Sequence, residues 1–188
     1  MKILALDCEM VKGKRKHICG RVVIVSLDES ENPVVLLDTY VRHPHGEVVN
    51  CLTRWSNIRR WMDARGIPYP LVVLKVIEII RGNILVTQNG NADFACLGLS
   101  KDYVESICHH VELQSYFKRP DGSGYGLGPL VEYFKYESDG SPVIINHDCI
   151  QDATYTLKLY NDHYVADGTF LPDSIIPSVK MYRLKHSL

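Results

Sequence analysis

The sequence lacks most of the features that would settle its class at once. Its six cysteines (Cys8, Cys19, Cys51, Cys96, Cys108 and Cys149) form no Cys-x-x-Cys pair, which predicts reduced thiols rather than a disulfide framework. Cys108-His109-His110 offers zinc-type ligands, but no second ligand pair at the usual spacing accompanies it. No apolar run reaches the ~20 residues that a membrane helix requires, and the N-terminus lacks the charged and apolar regions of a secretion signal. An intracellular protein, nuclear or cytoplasmic and without a membrane partner, is the expectation. Strong charge of either sign is missing as well: the formal net charge is −1. A general nucleic-acid coat would be basic, so any nucleic-acid substrate must be held by local patches and bound metal. There is no internal repeat and no low-complexity tract.

What remains is ordinary globular material, 46% hydrophobic and 23% charged, which excludes a disordered or collagen-like chain. At 188 residues it fits one domain that buries about 70% of its unfolded surface. Ile3 to Leu6 reads as a short core strand, Val22 to Leu27 as a second and Val34 to Val41 as a third, an antiparallel meander. Thr53 to Arg65 reads as a helix with Ser56 as a candidate N-cap, and Leu71 to Ile80, with Pro70 before it and Gly82 after it, as a buried helix. Ile84 to Thr87 is a further strand, 91–99 a short helix, Val111 to Leu113 a last strand, and Leu127 to Tyr136 and Gln151 to Tyr164 two more helices, with Asp148 a candidate N-cap. This predicts an α/β fold with a mixed five-stranded sheet, three antiparallel N-terminal strands plus two further strands, flanked by helices. The domain is expected to run from 1 to 165, and 166–188 to form a wrapping or loose tail.

The chemistry concentrates at element ends. Asp7 and Glu9 follow the first strand directly; residues i and i+2 of a strand point to one side, so the two carboxylates suit a hard divalent cation. Asp93 stands just beyond the fourth strand, and His147 and Asp152 lie five positions apart around the start of the last helix. Four carboxylates and a histidine are thus placed where a mixed sheet usually carries its active site.

In this order the residues resemble the DEDDh 3′-to-5′ exonucleases, closest to the branch of RNA exonucleases and interferon-stimulated exonucleases. Leu6-Asp7-Cys8-Glu9-Met10-Val11 matches the first motif, Asp93-Phe94 with Leu97 the second, and His147 to Tyr160 the third. Gly20-Arg21-Val22, Thr53 with Ser56 and Ile58, and Ile84-Leu85-Val86 are similar to further family segments. The resemblance implies a ribonuclease H-like fold and metal-dependent removal of nucleoside 5′-monophosphates from the 3′ end of single-stranded RNA or DNA. Asp7, Glu9, Asp93 and Asp152 would hold two ions, Mg²⁺ or Mn²⁺, and His147 would be the general base, with an ordinary pKa near neutrality. Met10 is expected against the terminal nucleotide. Lys12, Lys14, Arg15, Lys16 and His17 form a basic segment suited to steering the phosphate backbone, which Arg54, Arg59 and Arg60 would extend. Trp55 and Tyr125 are candidate stacking platforms.

The chain also departs from the family. Thr87-Gln88-Asn89 stands where Gly-His-Ala is usual, Ala92 where Asn commonly precedes the third acid, Leu52 where an arginine can approach the terminal ribose, and Leu113-Gln114-Ser115 where Asp-Thr-Ser is found. These changes bear on the choice between RNA and DNA. The rival readings are a catalytically silent nucleic-acid-binding module and a partner-recruiting scaffold on the same fold.

Overall fold

The structure, a computed structural model, describes residues 1–59, 65–119, 121–134, 136 and 148–165. Strand β1 (Ile3–Gly13) pairs antiparallel with β2 (His17–Leu27), which pairs antiparallel with β3 (Pro33–Arg42). Parallel to β1 on its other side lies β6 (Ile84–Thr87), and parallel to that β7 (His109–Glu112). These are the five expected strands. Two short segments extend the sheet: β4 (Val48–Asn50) pairs with the end of β1, and β5 (Ile67–Pro68) runs parallel to β3.

Alternation along β1 divides the core. Leu4, Leu6 and Cys8 join one apolar cluster, whereas Ala5 joins the other. Helix α1 is a single turn (Thr53–Ser56), and α2 (Tyr69–Ile80) covers the first face. Its buried residues Val72, Val76 and Ile80 recur every four positions, while Leu71 and Leu74 face solvent. Pro70 sits in its first turn, where a missing N–H costs nothing. Helices α3 (Gly90–Cys96) and α4 (Lys101–Ile107) follow, then the short α5 (Leu113–Tyr116) and α6 (Leu127–Phe134). Helix α7 (Cys149–Leu159) covers the second face, setting Ala153 and Leu157 among Ala5, Val23, Val25 and Val86, and continues as a π-helical turn (Tyr160–Val165).

Several boundaries differ from the sequence expectation. β1 does not stop at Leu6 but continues seven residues further, because Cys8 and Val11 still face apolar clusters. Ser56 is not an N-cap: it closes α1, donating its hydroxyl to the Cys51 carbonyl at 2.7 Å and accepting the Ile58 amide at 3.1 Å. Asn57, at φ 55°, ends that helix well before Arg65, and residues 60–64 lie outside the described residues. The last strand begins at His109, and Leu113 already belongs to a helical turn. Helix α4 is an addition, capped by the Ser100 hydroxyl accepting the Tyr103 amide at 3.2 Å. Asp148 does cap α7, accepting the Ile150 amide at 3.0 Å. The expected tail, 166–188, lies outside the described residues.

The one-sided burial of α2 is directly testable. Ile80→Ala should lower stability by about 2–5 kcal/mol in denaturant unfolding, whereas Leu74→Ala should change it by less than about 0.5 kcal/mol.

Candidate active site

Asp7, Glu9 and Asp152 gather on the α7 side of β1. Asp7 and Glu9 share that side, and an oxygen of each lies within 4.8 Å of the other and of the Cys149 sulfur at the start of α7. The Cys149 thiol donates to the Asp7 carbonyl at 3.1 Å, tying the helix to the strand. Asp152 follows in the first turn of α7, with its charge felt at Glu9. Asp93, on α3, is 6% exposed and accepts a hydrogen bond from the Cys8 amide. The sheet register is irregular at this point: Glu9 faces Arg21 and Met10 faces Cys19, so Gly20 is the extra residue of a bulge. A side chain at Gly20 would run into Ile58 and Val11.

Charge at the site is far from balanced. Burial, then the carboxylates of Asp7 and Asp152, push the Glu9 carboxyl up to about 8; Arg21 opposes the shift. Burial and the Asp7 charge likewise hold Asp93 well above the usual carboxylate range. Arg21 is itself committed elsewhere, gripping Asp38 through two hydrogen bonds of 2.8 and 3.0 Å, with Asp148 at 3.7 Å. Crowded oxygen donors with so little positive charge nearby fit a hard divalent cation. The structure thus brings Asp7, Glu9, Asp93 and Asp152 to one locality, while His147 lies outside the described residues.

Comparison with known proteins places this geometry. A scan against protein-family models matches none. Among curated proteins, the chain is 28% identical over 164 residues to the interferon-stimulated 20 kDa exonuclease-like 2 of Bos taurus, covering 85% of this chain and 45% of that protein. It is 30% identical over 164 residues to RNA exonuclease 4 of Candida albicans, covering 85% and 54%. Among solved structures, the protease and nuclease catalytic unit of Neurospora crassa Pan2 superposes with a TM-score of 0.70 at 22% identity, over 90% of this chain and 28% of that one. Over most of its length the chain is similar to exonucleases of the DEDD family. Its fold is the ribonuclease H-like fold of that family. The chain spans about half the length of the curated relatives it matches.

Against the family pattern, the segment before Asp93 is rebuilt rather than merely altered. Asn89 adopts a left-handed φ of 69°, which asparagine tolerates, and any side chain at Gly90 would collide with Thr87. Glu112, at the end of β7, holds this turn. Its carboxylate accepts the amides of Asn89 at 2.8 Å, Gly90 at 2.7 Å and Gln114 at 2.9 Å, and the Thr87 hydroxyl at 3.1 Å. The Thr87 hydroxyl also meets His110 Nε2 at 2.8 Å, and Gln88 donates to the Tyr125 carbonyl at 2.6 Å. Burial pushes the His110 imidazole below its ordinary pKa.

The remaining predicted residues are scattered in character. Lys14, Arg15 and Lys16 form the exposed tip of the β1–β2 hairpin, with Lys12 exposed at the end of β1, and the Lys16 ammonium reaches the Ala95 carbonyl at 3.3 Å. Met10 packs partly buried against the first apolar cluster. Arg54 lies over the Trp55 ring, 5.4 Å from its centroid, and both are exposed. Tyr125, expected as a platform, is instead buried with Arg119 over its ring, so its face is already taken. No cluster of metal ligands among the described residues includes Cys108, His109 or His110. Two contributors, Glu112 and Cys149, carry no sequence signal, because their partners are distant in the chain.

Two outcomes follow. Glu112→Ala strands the amides of Asn89 and Gly90 and should cost about 1–3 kcal/mol in denaturant unfolding, with Glu112→Gln in between. Glu9 has a folded pKa of about 8 against an ordinary 4.5, so the metal-free protein holds a proton that the unfolded chain has lost. Its stability contribution is complete below pH 4.5 and lost as pH rises toward 8, and thermal melts across that window should decline in the chelated protein.

Proposed function

We propose that this chain is a metal-dependent 3′-to-5′ exonuclease that shortens single-stranded RNA or DNA from the 3′ end and releases nucleoside 5′-monophosphates. The observation that carries the reading is the pairing of Asp7 and Glu9 oxygens within 4.8 Å, with the charge of Asp152 felt at Glu9, that of Asp7 felt at Asp93, and Arg21 opposing at Glu9. RNA is the favoured substrate, since one relative is an RNA exonuclease. Asp7 and Glu9, with Asp93 and Asp152 beside them, are the residues to hold Mg²⁺ or Mn²⁺, two ions in all. When bound, the cations screen the phosphate, activate the attacking water and stabilise the departing 3′ oxygen.

The chain's own groups do the rest. The carboxylates stay ionised once a cation faces them, and β1 holds the first two at fixed spacing. Asp93 rides on a turn clamped by Glu112, and Asp152 on a helix fastened to Asp7 through Cys149. His147 takes the proton of the attacking water on a ring nitrogen and passes it to solvent. Lys12, Lys14 and Arg15 face the backbone phosphates behind the terminal nucleotide, with Arg54 and Trp55 further along the strand and Met10 beneath its last base.

Incubation of labelled oligonucleotide with Mg²⁺ or Mn²⁺ should give stepwise shortening from the 3′ end. Asp7→Asn should slow it by at least about a thousandfold, equivalent to roughly 4 kcal/mol of lost transition-state stabilisation. Undiminished shortening in excess chelator would defeat the proposal. Retention of oligonucleotide without shortening under any metal would point to the silent binding module instead. Matched RNA and DNA oligomers decide the sugar preference.

A further inference from the structure

The opposite face of the same strand carries a second ligand set. Cys8 on β1, Cys19 on β2 and Cys96 at the end of α3 converge so that their three sulfurs lie within 4.8 Å of one another. All are free thiols and all are buried, at 8%, 0% and 3% exposure. Buried cysteine is common as a small apolar filler. Three sulfurs from three separate elements meeting at one point is a different arrangement. Three thiolates around one ion, each about 2.3 Å from it, stand about 4 Å apart, so closing the observed triangle needs a movement of less than about 1 Å.

We propose that Cys8, Cys19 and Cys96 form a binding site for one thiophilic d¹⁰ cation, Zn²⁺ or Cu⁺. Binding would release a proton from each sulfur that becomes a thiolate, and no redox change is involved. Two of the thiols now donate to backbone carbonyls, Cys19 to Arg21 at 3.3 Å and Cys96 to Asp93 at 3.1 Å, contacts that a metal–sulfur bond would replace. The net negative charge left by three thiolates has a partner in Lys16, whose ammonium lies at 3.3 Å from the Ala95 carbonyl beside Cys96. Soft sulfur donors select against Mg²⁺ and Mn²⁺, so this site and the carboxylate site on the other face of β1 would not compete for the same ions. A cation there would join β1, β2 and α3, the elements that carry Asp7, Glu9, Arg21 and Asp93. The inference stands whether or not the chain is an exonuclease.

The test uses the full chain, reduced and anaerobic, loaded with Zn²⁺ in one arm and Cu⁺ in the other, then desalted and assayed for bound metal. One equivalent per chain is expected in at least one arm, with a melting temperature that rises on loading, and the arm that retains metal identifies the ion. Cys19→Ser and Cys96→Ser should each lower retention at least tenfold, whereas the Asp7→Asn/Glu9→Gln variant should retain a full equivalent. Because Cys19 is fully enclosed and its variant risks misfolding, Cd²⁺ loading of the unmutated chain provides an independent reading. It should give thiolate-to-metal charge-transfer absorption of an intensity that matches three sulfurs. No metal retained in either arm, retention abolished by the double acid variant, or Cd²⁺ absorption absent would overturn the proposal.

Discussion

Strand β1 is gripped on both faces, and that confinement forces the carboxylates of Asp7 and Glu9 together against their mutual repulsion. Leu4, Leu6 and Cys8 anchor it beneath α2 and α3, and Ala5 anchors it beneath α7. An acid pair on a free strand would relax by rotating into solvent. Here the apolar residues on either side leave no such freedom, so burial first and the repulsion second push the Glu9 carboxyl up to about 8 in place of movement. Keeping like charges adjacent costs stability, and such a local cost is the usual mark of a functional position.

The rest of the site depends on how the neighbouring elements are fastened to that strand. Asp93 is the clearest case, because α3 is only two turns long and cannot be stiff by itself. Its orientation comes from the Cys8 amide below and from Glu112, which crosses from β7 to take the two amides at the helix start. In place of the Gly-His-Ala usual in the family, Thr87, Asn89, His110 and Glu112 build a polar brace with charge-assisted bonds. The altered residues therefore brace one another, and the turn that precedes Asp93 is held from β7.

This explains which parts of the molecule are legible in the sequence. Asp7 and Glu9 are legible because the period-2 geometry of a strand is local, and α2 because Pro70 and Gly82 bracket a helical period. The length of β1 is not, since acids that face a site look in sequence like acids that face water, and only the tertiary partner of Cys8 shows that the strand goes on. Ser56 is misleading for the same reason: a serine near a helix signals a cap, yet here the Cys51 carbonyl and the Ile58 amide capture its hydroxyl. Glu112 and Cys149 act on residues 22 and 142 positions away, a distance at which local pattern carries no information.

The alternation that makes β1 amphipathic also sorts donors by chemistry. From Leu6 to Met10 the odd positions present oxygen to the α7 side, while Cys8 presents sulfur to the opposite cluster beside Cys19 and Cys96. Hard and soft ligands so close in sequence would mix in a loop or a helix, where i and i+1 lie within reach of one ion. On a strand the backbone itself stands between Asp7 and Glu9 on one side and Cys8 on the other. That separation requires β1 to remain extended through residue 9, which the Glu9–Arg21 pairing and the bulge immediately after it define. A one-residue slip in this register would turn the thiol toward the acids and a carboxylate into the core, so both faces of the strand select the same alignment.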